Sequence, residues 1–142
     1  MLMQRTILAT FIILTFLCPP AISANGTNWV KKANALWDGK KYTNPKKAIE
    51  YLSNFIRQKP DAAAAYYNRA IAYGQMGQHK HALADYNQTI RLKPDLAQAY
   101  INRGVIHLNQ GNKKLGCYDA QKACRLKNCL LLDMAKVKGF CK

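Results

Sequence analysis

The residues best suited to chemistry in this sequence are four cysteines in its last third, Cys117, Cys124, Cys129 and Cys141. They are separated by six, four and eleven residues, whereas a four-cysteine zinc site is normally built from two pairs with two to four intervening residues. The sequence also lacks a C-x-x-C redox pair and a C-x-x-C-H haem motif. Disulfide bonds are therefore the favoured interpretation, and a metal site or free thiols are the weaker alternatives.

Four cysteines allow three pairings. The hydrophobic pattern predicts that Cys117 and Cys124 lie on one helix with Cα atoms about 10.5 Å apart, which exceeds the roughly 7 Å limit for a disulfide. Of the two remaining pairings we favour the nested one, Cys124–Cys129 with Cys117–Cys141, because it suits a final helix that packs antiparallel to the preceding one. The outer bond would close a loop of 25 residues, which stabilises a fold by about 3 kcal/mol.

The three histidines, His79, His81 and His107, make a weaker case for chemistry. His79 and His81 are two residues apart on a predicted helix and therefore point in different directions. We interpret all three as exposed, solvated side chains. The sequence contains no phosphate-binding glycine loop, no G-x-S-x-G and no H-E-x-x-H. We predict that the protein is not an enzyme and has no catalytic residue, no metal site and no cofactor.

The elements that must position these side chains recur with a period of 34 residues. Residues 63–96 and 97–130 are identical at twelve of 34 aligned positions. The hydrophobic periodicity predicts two helices in each copy, separated by a turn at Gly77 or Gly111. An earlier copy, at about residues 29–62, is predicted to begin with a helix that ends at Gly39. Its inter-helix turn carries about four extra residues, which a surface loop tolerates.

A 34-residue period of two helices resembles the tetratricopeptide repeat, or TPR. This resemblance implies an all-α fold, an α-α superhelix of about three helix-turn-helix repeats at about 29–62, 63–96 and 97–130. We also expect a capping helix at about residues 129–139, because a solenoid must cover its last open face. The TPR positions matched in the central copy are Tyr66, Ala70, Tyr73, Gly77, Ala82, Tyr86 and Pro94.

The N-terminus predicts export. Arg5 precedes an uncharged, mostly apolar run from Thr6 to Cys18, and small residues follow up to Ala24. This pattern is typical of a secretory signal peptide, here residues 1–24, and leaves a TPR domain at residues 25–142. The apolar run is shorter than the roughly 20 residues that span a bilayer, so a retained anchor is the weaker alternative. We expect a periplasmic or secreted protein, in agreement with its cysteine content.

By resemblance to TPR proteins, the first helix of each repeat lines a concave groove, which we interpret as a binding site for a peptide or protein. Asn68 and Asn102 are suited to hydrogen bonding with the main chain of an extended peptide. Some TPR proteins clamp the C-terminal carboxylate of a peptide with Lys, Asn and Arg side chains. This mode is not expected here, because Gln98 and Asn102 stand where Lys and Arg are required. Trp29 and Ala33 are further candidates from the first copy, and the alternative is a purely structural solenoid face. The predicted groove residues are Tyr67, Asn68, Ile71, Gln75, Gln98, Ile101, Asn102, Val105 and Asn109.

The chain is strongly basic, with 22 Lys and Arg against 7 Asp and Glu and a formal net charge of +15. Such a field attracts polyanions and acidic proteins. The lysines are scattered and do not alternate with aromatic residues as in a known nucleic-acid module, so specific nucleic-acid binding is not expected. The favoured function is an exported, non-catalytic interaction module with a peptide or protein partner, and an acidic partner is one candidate. The first alternative is a basic protein that binds polyanions or the envelope surface electrostatically, and a weaker one is an accessory subunit of an exported enzyme or assembly machine.

Overall fold

The computed structural model describes residues 26–142, and the predicted signal peptide lies outside this range. The described residues form seven helices and no strand, so the all-α prediction is confirmed. No helix in this part of the chain is long and apolar enough to cross a membrane. The helices are α1 (Gly26–Asn34), α2 (Pro45–Gln58), α3 (Ala63–Gln75), α4 (His79–Leu92), α5 (Ala97–Asn109), α6 (Lys113–Arg125) and α7 (Leu130–Val137).

Consecutive helices pack against each other along the whole chain. The pairs α1–α2, α3–α4 and α5–α6 are antiparallel hairpins, and the second helix of each pair also packs on the helix that follows it. The last helix, α7, packs on α6 and also touches α5. The core is therefore a continuous series of helix interfaces, as expected of a solenoid.

Small residues allow the two helices of a repeat to approach each other closely. Ala70 and Ala82 are fully buried where α3 meets α4. Gly104 and Gly116 stand at the corresponding positions of α5 and α6. A Cβ atom added at Gly104 would lie 2.8 Å from Cδ2 of Leu131 on α7. The absence of a side chain at Gly104 thus makes room for α7.

Residues with positive φ follow four of the helices, α3, α5, α6 and α7. Gly77 and Gly111 have φ angles of +69° and +79°, and each follows the last residues of α3 or α5. In this conformation the residue after the glycine donates its N–H back into the helix, as Asn112 does to the carbonyl oxygen of His107 at 2.8 Å. Lys127 takes the same conformation after α6, with φ of 66°, and is the only described non-glycine residue that does so.

Two partly buried arginines, Arg69 and Arg103, connect neighbouring repeats. Arg69 of α3 donates from Nε and Nη2 to both carboxylate oxygens of Asp85 on α4, at 2.7 and 2.8 Å. Its third nitrogen, Nη1, donates to Oγ of Ser53 on α2 at 2.9 Å. One guanidinium thus joins both helices of its own repeat to the second helix of the preceding repeat. A bidentate, charge-assisted arrangement of this kind fixes geometry as well as adding energy.

The first helix is shorter than predicted. It ends at Asn34, not at Gly39, so the predicted boundary is wrong. The reason is local, because the Asp38 carboxylate accepts the backbone N–H groups of Lys40 and Lys41 at 2.9 and 2.8 Å. An aspartate that bonds the backbone ahead of it favours a turn over a helix. The pKa of Asp38 is lowered mainly by these two hydrogen bonds.

Two disulfide bonds join α6 to the C-terminal segment. Cys117 pairs with Cys141, with Cα atoms 5.6 Å apart, and Cys124 pairs with Cys129. This is the nested pairing that the sequence favours, with the Cys124–Cys129 bond inside the loop closed by Cys117–Cys141.

The helix α7 covers the end of the core only in part. It buries Leu131 and Ala135 against the preceding helices but leaves Leu130 64% and Val137 89% exposed. It therefore does not present the polar outer face that is expected of a terminal cap.

Candidate ligand groove

A cavity of about 500 Å³ opens on the face that α1, α3 and α5 share. Its volume falls within the range of sites that hold small ligands and peptide side chains. The turn after α1 supplies one wall, α3 supplies the floor, and α5 contributes a single side chain. The lining residues are Asn34, Trp37, Lys40, Tyr42, Tyr67, Asn68, Ile71 and Asn102.

The wall of the cavity is held in place by a side chain from the next repeat. The backbone N–H of Tyr42 donates to Oε1 of Gln75 at 2.8 Å, and Nε2 of Gln75 donates to the carbonyl oxygen of Tyr42 at 3.3 Å. Trp37 and Tyr42 pair across the turn as an isolated antiparallel bridge, and their rings meet edge to face at 5.1 Å. Burial raises the pKa of Tyr42 to about 12, so its phenol is neutral at physiological pH.

A short chain of polar side chains spans α3 and α5. Nε2 of Gln98 donates to Oδ1 of Asn102 at 3.2 Å, and Nδ2 of Asn102 donates to the hydroxyl oxygen of Tyr67 at 3.2 Å. Burial raises the pKa of Tyr67. The amide of Asn102 is thus engaged, whereas that of Asn68 has no protein partner among the described residues. Asn68 remains able to donate to and accept from a bound main chain.

Comparison with protein-family models identifies the repeats. One tetratricopeptide repeat model matches residues 63–96, which form α3, α4 and their flanking turns, and a second matches residues 30–74. The chain is a tetratricopeptide repeat protein. The superhelix predicted from the 34-residue period is therefore a TPR solenoid.

The relatives of this TPR protein differ in length and share mainly the fold. A NADPH oxidase activator from Dictyostelium discoideum is 42% identical over 49 residues, which are 34% of this chain and 8% of that protein. The crystal structure of MamA superposes with a TM-score of 0.66 at 24% identity, covering 72% of this chain and 58% of MamA. The first TPR domain of Spaghetti (RPAP3), solved with the HSP90 peptide SRMEEVD, gives 0.71 at 18% identity and coverages of 79% and 88%. This chain thus spans about a twelfth of the NADPH oxidase activator and somewhat over half of MamA.

The predicted groove residues of the TPR solenoid fall into separate places. Tyr67, Asn68, Ile71 and Asn102 line the cavity together. Val105 and Asn109, about one and two turns beyond Asn102 on α5, line a smaller hollow of about 90 Å³ against Met134 of α7 and Lys138 just after it. Gln98 is exposed beside Asn102 and contacts it.

Several predicted contributions are corrected by the structure. Ile101 is only 8% exposed and belongs to a core cluster with Leu131 of α7, so it offers no surface to a ligand. Gln75 is exposed, but its amide is occupied by the backbone of Tyr42. Ala33 is fully buried in the core between α1 and α2.

Trp29 also lies elsewhere than predicted. It packs against Tyr51, with ring centroids 5.7 Å apart, and Lys32 lies 4.8 Å from its ring centroid. Trp29 does not line the cavity.

Sequence reasoning missed the half of the cavity that the first turn provides. The sequence predicts Trp37 near the end of the first helix and Lys40 and Tyr42 in the turn that follows, and it indicates no role in binding for any of them. The only signal in the sequence was the turn's four extra residues.

His107 also differs from expectation, since it is half-buried with Nδ1 buried and without a hydrogen-bond partner in residues 26–142. Burial lowers the pKa of His107, so the neutral imidazole is favoured. His79 and His81 are exposed, as expected.

Proposed function

We propose that this TPR protein is a non-catalytic interaction module that binds a peptide or protein partner in the cavity on the α1–α3–α5 face. The observation that carries the proposal is the juxtaposition of an unengaged amide, Asn68, with the apolar surface of Ile71 and Tyr67 in an open cavity of about 500 Å³. An extended peptide needs both main-chain hydrogen bonds and pockets for side chains. The first TPR domain of Spaghetti, which shares this fold, is solved with a peptide bound, and this supports the same use here.

We further propose that the protein works in the periplasm or outside the cell. The predicted signal peptide supports this location, and so do the two disulfides of the C-terminal segment, since disulfides persist in oxidising compartments.

A second candidate function is electrostatic binding to polyanions or to the envelope surface. Asp85 and Asp119, two of the seven acidic residues, are buried in ion pairs with arginines, so they contribute little to the outward field. The paired arginines are neutralised in the same way, so the net charge is unchanged and the exposed charges remain predominantly basic. This function predicts a steep dependence of affinity on salt.

One capture experiment separates the two functions. The disulfide-intact protein is immobilised, exposed to the envelope fraction of its source organism, and washed at low and then high salt. It is compared with an Asn68→Ala/Asn102→Ala variant of the cavity and with Gln121→Ala, which removes an exposed amide of α6. A groove binder retains a defined partner at high salt, loses it in the double variant, and keeps it in Gln121→Ala.

The opposite pattern rejects the groove. If all captured material elutes as the salt concentration rises, and the double variant captures as much as the wild type, binding is electrostatic and the cavity plays no part. An unfolded double variant is recognised beforehand by its circular dichroism spectrum.

A further inference from the structure

The cavity has one wall that the rest of the solenoid does not repeat. The turn between α1 and α2 is longer than the other inter-helix turns, and it places Trp37, Lys40 and Tyr42 over the groove. The turn is also rigidly built. Asp38 bonds two of its backbone N–H groups, and Gln75 bonds both polar groups of the Tyr42 backbone. A preformed wall of this kind reduces the cost of ordering the protein when a ligand binds.

The lining of the cavity combines aromatic surface with a single charge. Trp37 is 39% exposed, and its ring meets that of Tyr42 edge to face. The phenols of Tyr42 and Tyr67 are neutral at physiological pH, as tyrosines ordinarily are, and burial raises both pKa values further. Lys40 is then the only ionised group in the lining, and no carboxylate accompanies it.

These features select one kind of partner. Tryptophan and tyrosine in a concave site are among the residue types that most often dominate binding energy, and the wall of this cavity carries both. An uncompensated lysine at the rim favours a ligand carboxylate and disfavours a ligand cation. The free amide of Asn68, on the floor of the cavity, can hydrogen-bond the main chain between a ligand's apolar side chain at Trp37 and its carboxylate at Lys40.

We propose that the turn at residues 37–42 makes this cavity specific for an extended acidic peptide, which inserts one bulky apolar side chain against Trp37 and Tyr42 and places a neighbouring Asp or Glu side chain at Lys40. This inference rests on the proposed function, because it names the partner chemistry of the same cavity. The carboxylate is that of a side chain within the peptide and not the peptide's terminus, so blocked peptides bind.

The chain supplies its own reporter for the test. Trp29 and Trp37 are its two tryptophans, and Trp29 lies outside the cavity. A Trp29→Phe variant therefore reports only on Trp37, and a Trp37→Phe variant reports only on Trp29. The probes are short random peptides displayed on phage, selected on the full disulfide-intact protein. The peptides recovered are then synthesised with acetylated and amidated ends and titrated.

The selected peptides are expected to carry a bulky apolar residue beside Asp or Glu. Their binding should shift the emission of Trp37 in Trp29→Phe and leave the emission of Trp29 in Trp37→Phe unchanged. Trp37→Ala should weaken binding about thirtyfold, and Lys40→Glu about tenfold.

Lys41→Glu is the matched control, because Lys41 is adjacent and exposed, lacks a place in the lining, and changes the net charge by the same amount. It should weaken binding much less than Lys40→Glu. Since Lys40 is exposed, its substitution also tests the proposal if Trp37→Ala fails to fold.

The remaining outcomes overturn the inference in distinguishable ways. If selected peptides bind and lose affinity in Asn68→Ala/Asn102→Ala, but Trp37→Ala and Lys40→Glu bind as the wild type does, the turn does not determine specificity and the proposed function stands. If Lys41→Glu and Lys40→Glu weaken binding equally, the acidic preference belongs to the overall field. If no peptide is recovered, or none responds to any cavity variant, the groove function fails together with the inference.

Discussion

Arg103 of α5 meets Asp119 of α6 through two hydrogen bonds, from Nε at 2.9 Å and from Nη2 at 2.6 Å, and its Nη1 donates to Oδ1 of Asn87 on α4 at 2.6 Å. Every member of this group lies 34 residues after its counterpart in the group formed by Arg69, Asp85 and Ser53. The repeat therefore reproduces a connection between three helices as well as a hydrophobic pattern. Because Asn102 and Asn68 directly precede the two arginines, these ion pairs also hold the floor of the groove in position.

Removing one partner of such a pair should be costly. Asp119 is 1% exposed, so Asp119→Ala leaves the Arg103 guanidinium partly buried without its anion. We expect the free energy of unfolding, measured by urea denaturation, to fall by about 3–5 kcal/mol. Asp133→Ala, which removes an exposed carboxylate of α7, should change it by less than about 0.5 kcal/mol. Equal losses in the two variants would show that Asp119 acts only through net charge.

Two glycines within helices should respond in opposite directions to the same substitution. A Cβ at Gly116 would lie 2.5 Å from Cγ and Cδ2 of Leu108, so Gly116→Ala must displace Leu108 or move α5 from α6, and it should cost about 1–3 kcal/mol. A Cβ at Gly74, within α3, meets nothing within 4 Å. Gly74→Ala should therefore stabilise the protein by about 0.5–1 kcal/mol, through helix propensity alone. Urea midpoints of the two variants test both values, and a stabilising Gly116→Ala would contradict the close approach of the helices.

The sequence predicts much of what depends on local pattern, although not the early end of α1, and it fails where distant groups decide. The start of α2 is encoded locally, because Pro45 opens the helix and Asn44 Oδ1 accepts the N–H of Lys47 at 3.1 Å. The wall at Tyr42 depends instead on Gln75, 33 residues away, and no periodicity reveals that contact.

Burial on α5 and the ion pairs also depend on distant groups. Ile101 and Tyr67 occupy equivalent positions, yet Ile101 is buried in a core cluster that includes α7 residues, whereas Tyr67 is only half-buried and lines the cavity. The arginine and aspartate identities were visible between the repeats, but their pairing across a turn was not.

The end of α6 carries a conformation that its sequence does not favour. Lys127 has φ of 66°, a region that costs a side chain roughly 1–2 kcal/mol and glycine almost nothing. Lys127→Gly should therefore raise the free energy of unfolding by about 1 kcal/mol. Lys93 is the control, since it stands 34 residues earlier at the end of α4 with φ of −140°, and Lys93→Gly should not stabilise. A gain in both variants would assign the effect to the lost positive charge.

The outer disulfide should matter more than the inner one, because it closes the longer loop. Cys117–Cys141 spans 24 positions and holds the C-terminal segment to α6, whereas Cys124–Cys129 spans five. By the loop-closure argument, Cys117→Ser/Cys141→Ser should lower the free energy of unfolding by about 3 kcal/mol and Cys124→Ser/Cys129→Ser by about 2 kcal/mol.

Freed of its anchor at Cys141, α7 should also open more often, so trypsin should cut at the exposed Lys136 and Lys138 faster in the first variant than in the second. Equal cleavage rates would mean that the packing of Leu131 and Ala135 holds α7 without the disulfide.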